Sequence, residues 1–202
     1  VPFPHFNRPD GRPVRPSALY DTLKAKGAVF EEVYGWERPR WFARGGLEQR
    51  DYYSFRRAPW HDVLAEEIKA VRKRAGIMDI SAFAKVEISG PDAATFIDRL
   101  IPNRLPSQPG RIALTHLLNE NGRIEVEATI VRMADDRFYF TCAAFFEQRM
   151  LDYFNLRRRD DETVSMANLS SDWGAVTLNG PWARDILGAC TDSKLDNDNF
   201  PW

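Results

Sequence analysis

Apolar positions along the chain change their period several times, and each change marks a predicted element. Before residue 17 no period is visible. Five prolines fall between Val1 and Pro16, each lacking an N–H and restricting its predecessor, so this stretch predicts an extended strap. Ser17 is placed to cap a helix running to Lys26, with Gly27 as its stop. Ala28 to Tyr34 reads as a strand, Gly35 to Phe42 as an irregular aromatic segment, and Tyr52 to Trp60 as a second strap. From His61 to Arg74, Val63, Leu64, Ile68 and Val71 return at helical spacing with charges between them, and Gly76 ends the run. Alternation marks a strand from Ala84 to Ile88. After Gly90-Pro91-Asp92, the apolar residues Ala93, Phe96, Ile97 and Leu100 predict a helix. Strands follow around residues 111 to 118, 124 to 132 and 137 to 142, turning at Asn121-Gly122 and Asp135-Asp136, the first being a strong hairpin signal. A helix from about Phe145 to Arg158 offers Phe146, Met150, Tyr153 and Phe154 to a core, and a strand runs from Thr163 to Ala167.

One unit recurs. Val86 to Ile97 and Val176 to Leu187 share a valine, Gly-Pro and an alanine in register, with apolar positions matched between them. Each reads as a strand, a Gly-Pro turn and a helix. The glycine permits the tight reversal, and the proline sits in the first helical turn, where a missing donor costs nothing. Duplicated subdomains of an α+β fold, antiparallel strands backed by helices, are the expectation, with a common strand-turn-helix corner used twice as the alternative.

Composition narrows the function classes. With 28 Lys and Arg against 29 Asp and Glu the formal charge is -1, without the basic excess that nucleic-acid binding uses. A hydrophobic share of 44% and a charged share of 28% are ordinary for a globular protein. No apolar run approaches the ~18 residues that span a bilayer, so no membrane partner is expected. The first residues match neither a secretory nor a transit pattern. Cys142 and Cys190 show no CxxC or histidine spacing and read as reduced, buried thiols. A cytoplasmic location, or the mitochondrial matrix in a eukaryote, is expected. The start at Val1 and the stop at Asn199-Phe200-Pro201-Trp202 suggest part of a longer chain.

Several chemistries lack their residues. His5, His61 and His116 have no i, i+4 pairing and no neighbouring cysteine, so no metal site is expected. Ser17, Ser54, Ser81 and Ser89 lie in no G-x-S-x-G setting. No G-x-G-x-x-G follows a strand, so these residues offer no dinucleotide fold for FAD. The runs Arg72-Lys73-Arg74 and Arg157-Arg158-Arg159 close predicted helices, where cations suit the dipole. One constellation stands out. Glu125 and Glu127 are two apart on a strand and so share a face, with Ile124, Val126 and Ala128 on the other. Neighbouring carboxylates can raise one pKa into the range of a general base, while a solvated strand face is the plain alternative.

The segment Ala75-Gly76-Ile77-Met78-Asp79-Ile80-Ser81-Ala82-Phe83-Ala84-Lys85-Val86 and the hairpin Leu117-Leu118-Asn119-Glu120-Asn121-Gly122-Arg123-Ile124 resemble the opening motif and central hairpin of the folate-binding aminomethyltransferase family, typified by the T-protein of the glycine cleavage system. Ser17 to Gly27, with Gly35-Trp36-Glu37-Arg38-Pro39 and Trp41-Phe42, resembles the segment leading into the folate domain of flavin-linked dimethylglycine and sarcosine dehydrogenases. The resemblance runs from Ser17 to about Ala189. It implies leading straps over residues 1–60 that join a flavin domain, a first folate-binding subdomain over 61–170, and the start of a second, truncated one over 171–202.

The same resemblance implies tetrahydrofolate as cofactor, a methylated amine as donor, and FAD only in a partner domain of the parent chain. The implied activity is aminomethyl or methylene transfer, inactive in this piece alone. Glu127 falls at the family's acidic position near the folate nitrogens, where the T-protein has aspartate. Leu114 falls where an apolar residue meets the pterin, and Glu125 and Phe83 fall beside the pocket. Phe140 is a further candidate lining residue, with core packing as the alternative for it and for Phe83. Cys142 stands where many T-proteins have an asparagine that bonds the ligand, and a thiol is a poorer partner. Two other readings stay open: a non-catalytic scaffold or interaction module of the same fold, suggested by Cys142, Glu127 and the aromatics Trp36, Trp41 and Trp60, and a folate-dependent demethylase.

Overall fold

The structure, a computed structural model, describes residues 9–200. His5 and Pro201-Trp202 lie outside the described residues. Contacts divide the described residues into two units, the first holding Glu37–Ile80, the described residues before Val33 and those from Val176 on, the second holding Val33–Trp36 and Ser81–Ala175.

The second unit is built on a five-stranded sheet of β4 (Ala84–Ser89), β5 (Ile112–Leu118), β6 (Ile124–Ala134), β7 (Arg137–Cys142) and β8 (Ser165–Asn168), in the order β5-β6-β7-β4-β8. Its neighbours pair antiparallel. Helices α3 (Ala93–Leu100) and α4 (Glu147–Arg157) pack on one face. The alternation read from the sequence decides that face. Val86 and Ile88, Val126 and Ile130, and Phe138 and Phe140 are fully buried, meeting Phe96 and Ile97 of α3 and Met150 and Phe154 of α4. Phe140 and Phe154 meet edge-on at 5.0 Å, and each such buried ring contributes about 1.5–3 kcal/mol.

The first unit holds α1 (Tyr20–Ala25), α2 (Trp60–Lys73), a two-stranded ribbon of β3 (Gly76–Asp79) with β9 (Val176–Asn179), and α5 (Ala183–Gly188). The hairpin of β1 (Ala28–Val33) and β2 (Trp36–Phe42) turns at Tyr34-Gly35, both with positive φ, which suits a two-residue turn. Amphipathic α2 buries Val63, while Leu64, Ile68 and Val71 stay partly exposed.

The recurring unit is real at the level of backbone angles. Gly90 has φ +128° and Gly180 has φ +117°, a region in which an L side chain is strained. Asp92 and Trp182, each preceding a helix, have φ/ψ of -97°/4° and -94°/6°. A Cβ at Gly90 would strike the Thr163 carbonyl, and one at Gly180 would stand 2.6 Å from the carbonyl oxygens of Arg74 and Val71.

Three local expectations change. Helix α1 begins at Tyr20 rather than after Ser17, whose hydroxyl instead donates to Asp79 at 2.5 Å and accepts from the Leu19 N–H at 3.2 Å. Residues 36 to 42 form a strand despite Pro39, because both strands of a two-stranded sheet are edges and tolerate a missing donor. Strand β3 carries adjacent apolar residues, Ile77 and Met78, both exposed, so no alternation announced it.

Candidate functional site

The face of the five-stranded sheet opposite α3 and α4 gathers the residues of interest. Since Val126, Ala128 and Ile130 face the helices, Glu127, Thr129 and Val131 stand on the other side. On β5, Thr115 and Leu117 are buried, which sends Leu114 and His116 outward. The register then sets Leu114 opposite Thr129 and His116 opposite Glu127, and continues Thr129 to Thr141 and Val131 to Tyr139 on β7. Leu114 is 60% exposed and Ile112 65%, although both are large aliphatic side chains on a strand. Tyr139 stacks on Trp173 with ring centroids 5.6 Å apart.

Glu127 points away from the core with its side chain 64% exposed, and its Oε2 lies 3.2 Å from Nε2 of His116. A surface hollow of about 340 Å³, lined by Arg99, Leu118, Tyr153 and Arg157 among others, includes none of the expected folate residues. Phe83, just before β4, is 42% exposed. Its carbonyl is tied down from below. The Lys85 ammonium donates to the carbonyls of Ser81 at 2.7 Å, Phe83 at 2.8 Å and Ser170 at 3.3 Å, and lies 5.7 Å from the Trp36 ring centroid. At 1% exposure this ammonium is tolerable only because such acceptors replace its water. Ser81 also accepts the Ala175 N–H at 3.0 Å, closing the segment around Trp173 onto the start of β4.

The expected pairing of Glu125 with Glu127 on one face is corrected. The register of β5 against β6 shifts between Leu117 and Leu118, so that Leu117 faces Val126 while Leu118 faces Ile124, and Glu125 is the extra residue of a bulge. The two carboxylates therefore take separate partners: Glu125 meets Arg149 of α4 at 3.5 Å, while Glu127 meets His116. The bulge also leaves Ile124 61% exposed rather than sharing the burial of Val126.

Cys142 and Phe140 are in the core, on the face opposite Glu127, because they alternate with Tyr139 and Thr141 along β7. Burial, with Glu147 adding repulsion, pushes the Cys142 thiol up to about 12. The sheet thus brings Leu114 and Glu127 together and separates them from Cys142. His116 is the neighbour that sequence reasoning missed. Counting pairs outward from the Asn121-Gly122 turn without a bulge sets Val126 opposite His116, and only the extra residue slides Glu127 into that place.

The sheet face away from the helices thus carries an exposed carboxylate on the same side as the exposed aliphatic side chains of Leu114 and Ile112. The family model described as the GCVT N-terminal domain matches residues 19–202. Dimethylglycine dehydrogenase, mitochondrial, of Mus musculus is 32% identical over 202 residues, covering 99% of this chain and 23% of that protein. Sarcosine oxidase subunit alpha of Rhizobium meliloti (strain 1021) is 32% identical over 197 residues, covering 95% of this chain and 19% of that protein. The chain thus spans about a quarter or less of the curated relatives it matches. The crystal structure of glycine cleavage system aminomethyltransferase T from Bartonella henselae superposes with a TM-score of 0.71 at 22% identity, covering 87% of this chain and 43% of that one. The fold is the mixed α/β, antiparallel architecture of that aminomethyltransferase.

Proposed function

The chain belongs to the GCVT N-terminal domain family, and from that membership we propose that its second unit forms one wall of a tetrahydrofolate site, which takes up a one-carbon unit drawn from a methylated amine. The observation that carries this reading is that Leu114 and Glu127 share the sheet face that α3 and α4 leave open. When bound, the reduced folate supplies an amine nucleophile for the one-carbon unit. Leu114, with Phe83 at the sheet margin, offers apolar surface to a flat ring. The Glu127 carboxylate accepts the proton that the amine sheds. Positioning provides most of the acceleration, since donor and acceptor are already reactive.

FAD and the oxidation of the amine are assigned to a separate domain of the parent chain. The length of the matched dehydrogenase leaves room for one, and these residues lack the dinucleotide fingerprint.

The test uses the full-length protein with tetrahydrofolate in calorimetry and a methylated amine in turnover. Binding is expected, and Glu127→Gln is expected to lower one-carbon transfer about 100-fold, the usual share of a general base, with the melting temperature unchanged. Unchanged transfer removes Glu127 from the role. Absence of tetrahydrofolate binding by the wild-type protein removes the folate reading and leaves the non-catalytic scaffold in its place.

A further inference from the structure

We propose that His116 is the positioning residue of the Glu127 carboxylate, holding one of its oxygens so that the other is presented to the ligand. This inference rests on the folate reading above. Three observations carry it. The bulge at Glu125 is what brings His116 opposite Glu127, so the pairing exists only because β6 holds one extra residue. The same bulge gives Glu125 its own partner in Arg149, which leaves the His116 ring to Glu127 alone of these two carboxylates. The contact lies on the open face, where Nε2 of His116 stands 3.2 Å from Oε2 of Glu127.

The need for such a contact follows from the side chain. A glutamate reaches its carboxylate through three rotatable bonds, and at 64% exposure no packing selects among the rotamers. A ring fixed on the neighbouring strand, with its side chain only 31% exposed, provides the selection. The Nε2–H donates to Oε2, and Oε1 stays available as an acceptor.

The experiment is a double-mutant cycle on equilibrium binding of tetrahydrofolate to the full-length protein, read by calorimetry, with His116→Leu, His116→Gln, Glu127→Ala and the pair His116→Leu/Glu127→Ala. Gln keeps an N–H near the place of Nε2, and Leu keeps bulk without a donor. The inference expects His116→Leu to weaken binding roughly tenfold and His116→Gln to stay within about twofold of wild type. It also expects His116→Leu to cost nothing further once Glu127 is alanine, since a positioning effect vanishes with the group positioned. A His116→Leu effect that persists in the Glu127→Ala background, or is not rescued by glutamine, overturns the inference and leaves the folate site standing. Wild-type binding matched by His116→Leu overturns it too. If the wild-type protein binds no tetrahydrofolate, the site reading itself fails and this inference falls with it. Thermal melts of each variant separate these outcomes from loss of fold.

Discussion

The Lys85 ammonium donates to the backbone carbonyl of Phe83 at 2.8 Å while 1% exposed to solvent. It also donates to the backbone carbonyls of Ser81 and Ser170, so three acceptors share this one buried charge. Lys85→Met keeps the length of the chain and removes the donor. Each stranded acceptor costs about 1–3 kcal/mol, reduced where water enters, so a net loss of about 2–4 kcal/mol is expected. Urea unfolding monitored by tryptophan fluorescence measures it. A loss below about 1 kcal/mol would show that the carbonyls find other partners and that the ammonium does not organise this margin of the sheet.

Gly90 and Gly180 carry the same duty in the two copies of the strand, Gly-Pro, helix unit, and Gly122 provides the control. All three have positive φ, but a Cβ at Gly122 meets nothing within 4 Å, whereas one at Gly90 or Gly180 meets backbone. Gly122→Ala therefore bears the conformational cost alone, about 1 kcal/mol. Gly90→Ala and Gly180→Ala add a collision with carbonyls that cannot swing aside, and each is expected to cost at least about 2 kcal/mol more. Chemical denaturation of the three variants side by side checks the ranking. Equal losses would refute the steric part of the argument.

Burial of Cys142 makes stability fall on the alkaline side. Its thiol is pushed from an ordinary value near 9 up to about 12, chiefly by loss of water and then by Glu147. Below the unfolded value both states keep the proton and stability is full. From about pH 9 the unfolded chain ionises while the folded chain does not, and the difference grows until about pH 12. Burial also raises the phenols of Tyr139 and Tyr153, whose contributions have the same sign. Cys142→Ala should shallow the loss of stability between pH 9 and 12 even though it leaves a small cavity. Thiol labelling gives a second check at pH 8: the exposed Cys190 reacts in the native protein, and Cys142 reacts only after unfolding.

The sheet and its helices were legible because alternation and helical spacing survive in β4 to β7, α3 and α4, where one face is buried and the other is not. The repeat was legible because Gly-Pro fixes a backbone shape. Strands β2 and β3 were hidden for opposite reasons: Pro39 argued against a strand that an edge position allows, and β3 has no buried face to impose a pattern. The candidate site was half legible. Spacing placed Glu127 outward and the family resemblance singled it out, yet the single extra residue at Glu125 decided which group faces it, and no residue type in this hairpin marks a bulge.

Glu37 is 2% exposed, and the Arg12 guanidinium clasps its carboxylate through both Nε and Nη2. That bond raises the Arg12 pKa further above its ordinary value, against the opposing effect of burial. Arg12 lies in the stretch that reads as an extended strap and Glu37 in the segment that reads as irregular, and the Glu37 N–H donates to the Arg15 carbonyl at 3.0 Å. Removing one partner of a buried pair is worse than removing both, since the survivor keeps its desolvation cost without its counter-charge. Arg12→Met should therefore destabilise by about 3–5 kcal/mol, while Arg12→Met/Glu37→Leu should recover most of that loss through apolar packing. Denaturant midpoints for Arg12→Met and for the double variant test the relationship. A double variant no more stable than Arg12→Met alone would mean that the carboxylate is not the burden, and that Arg12 acts through the packing of its own stem.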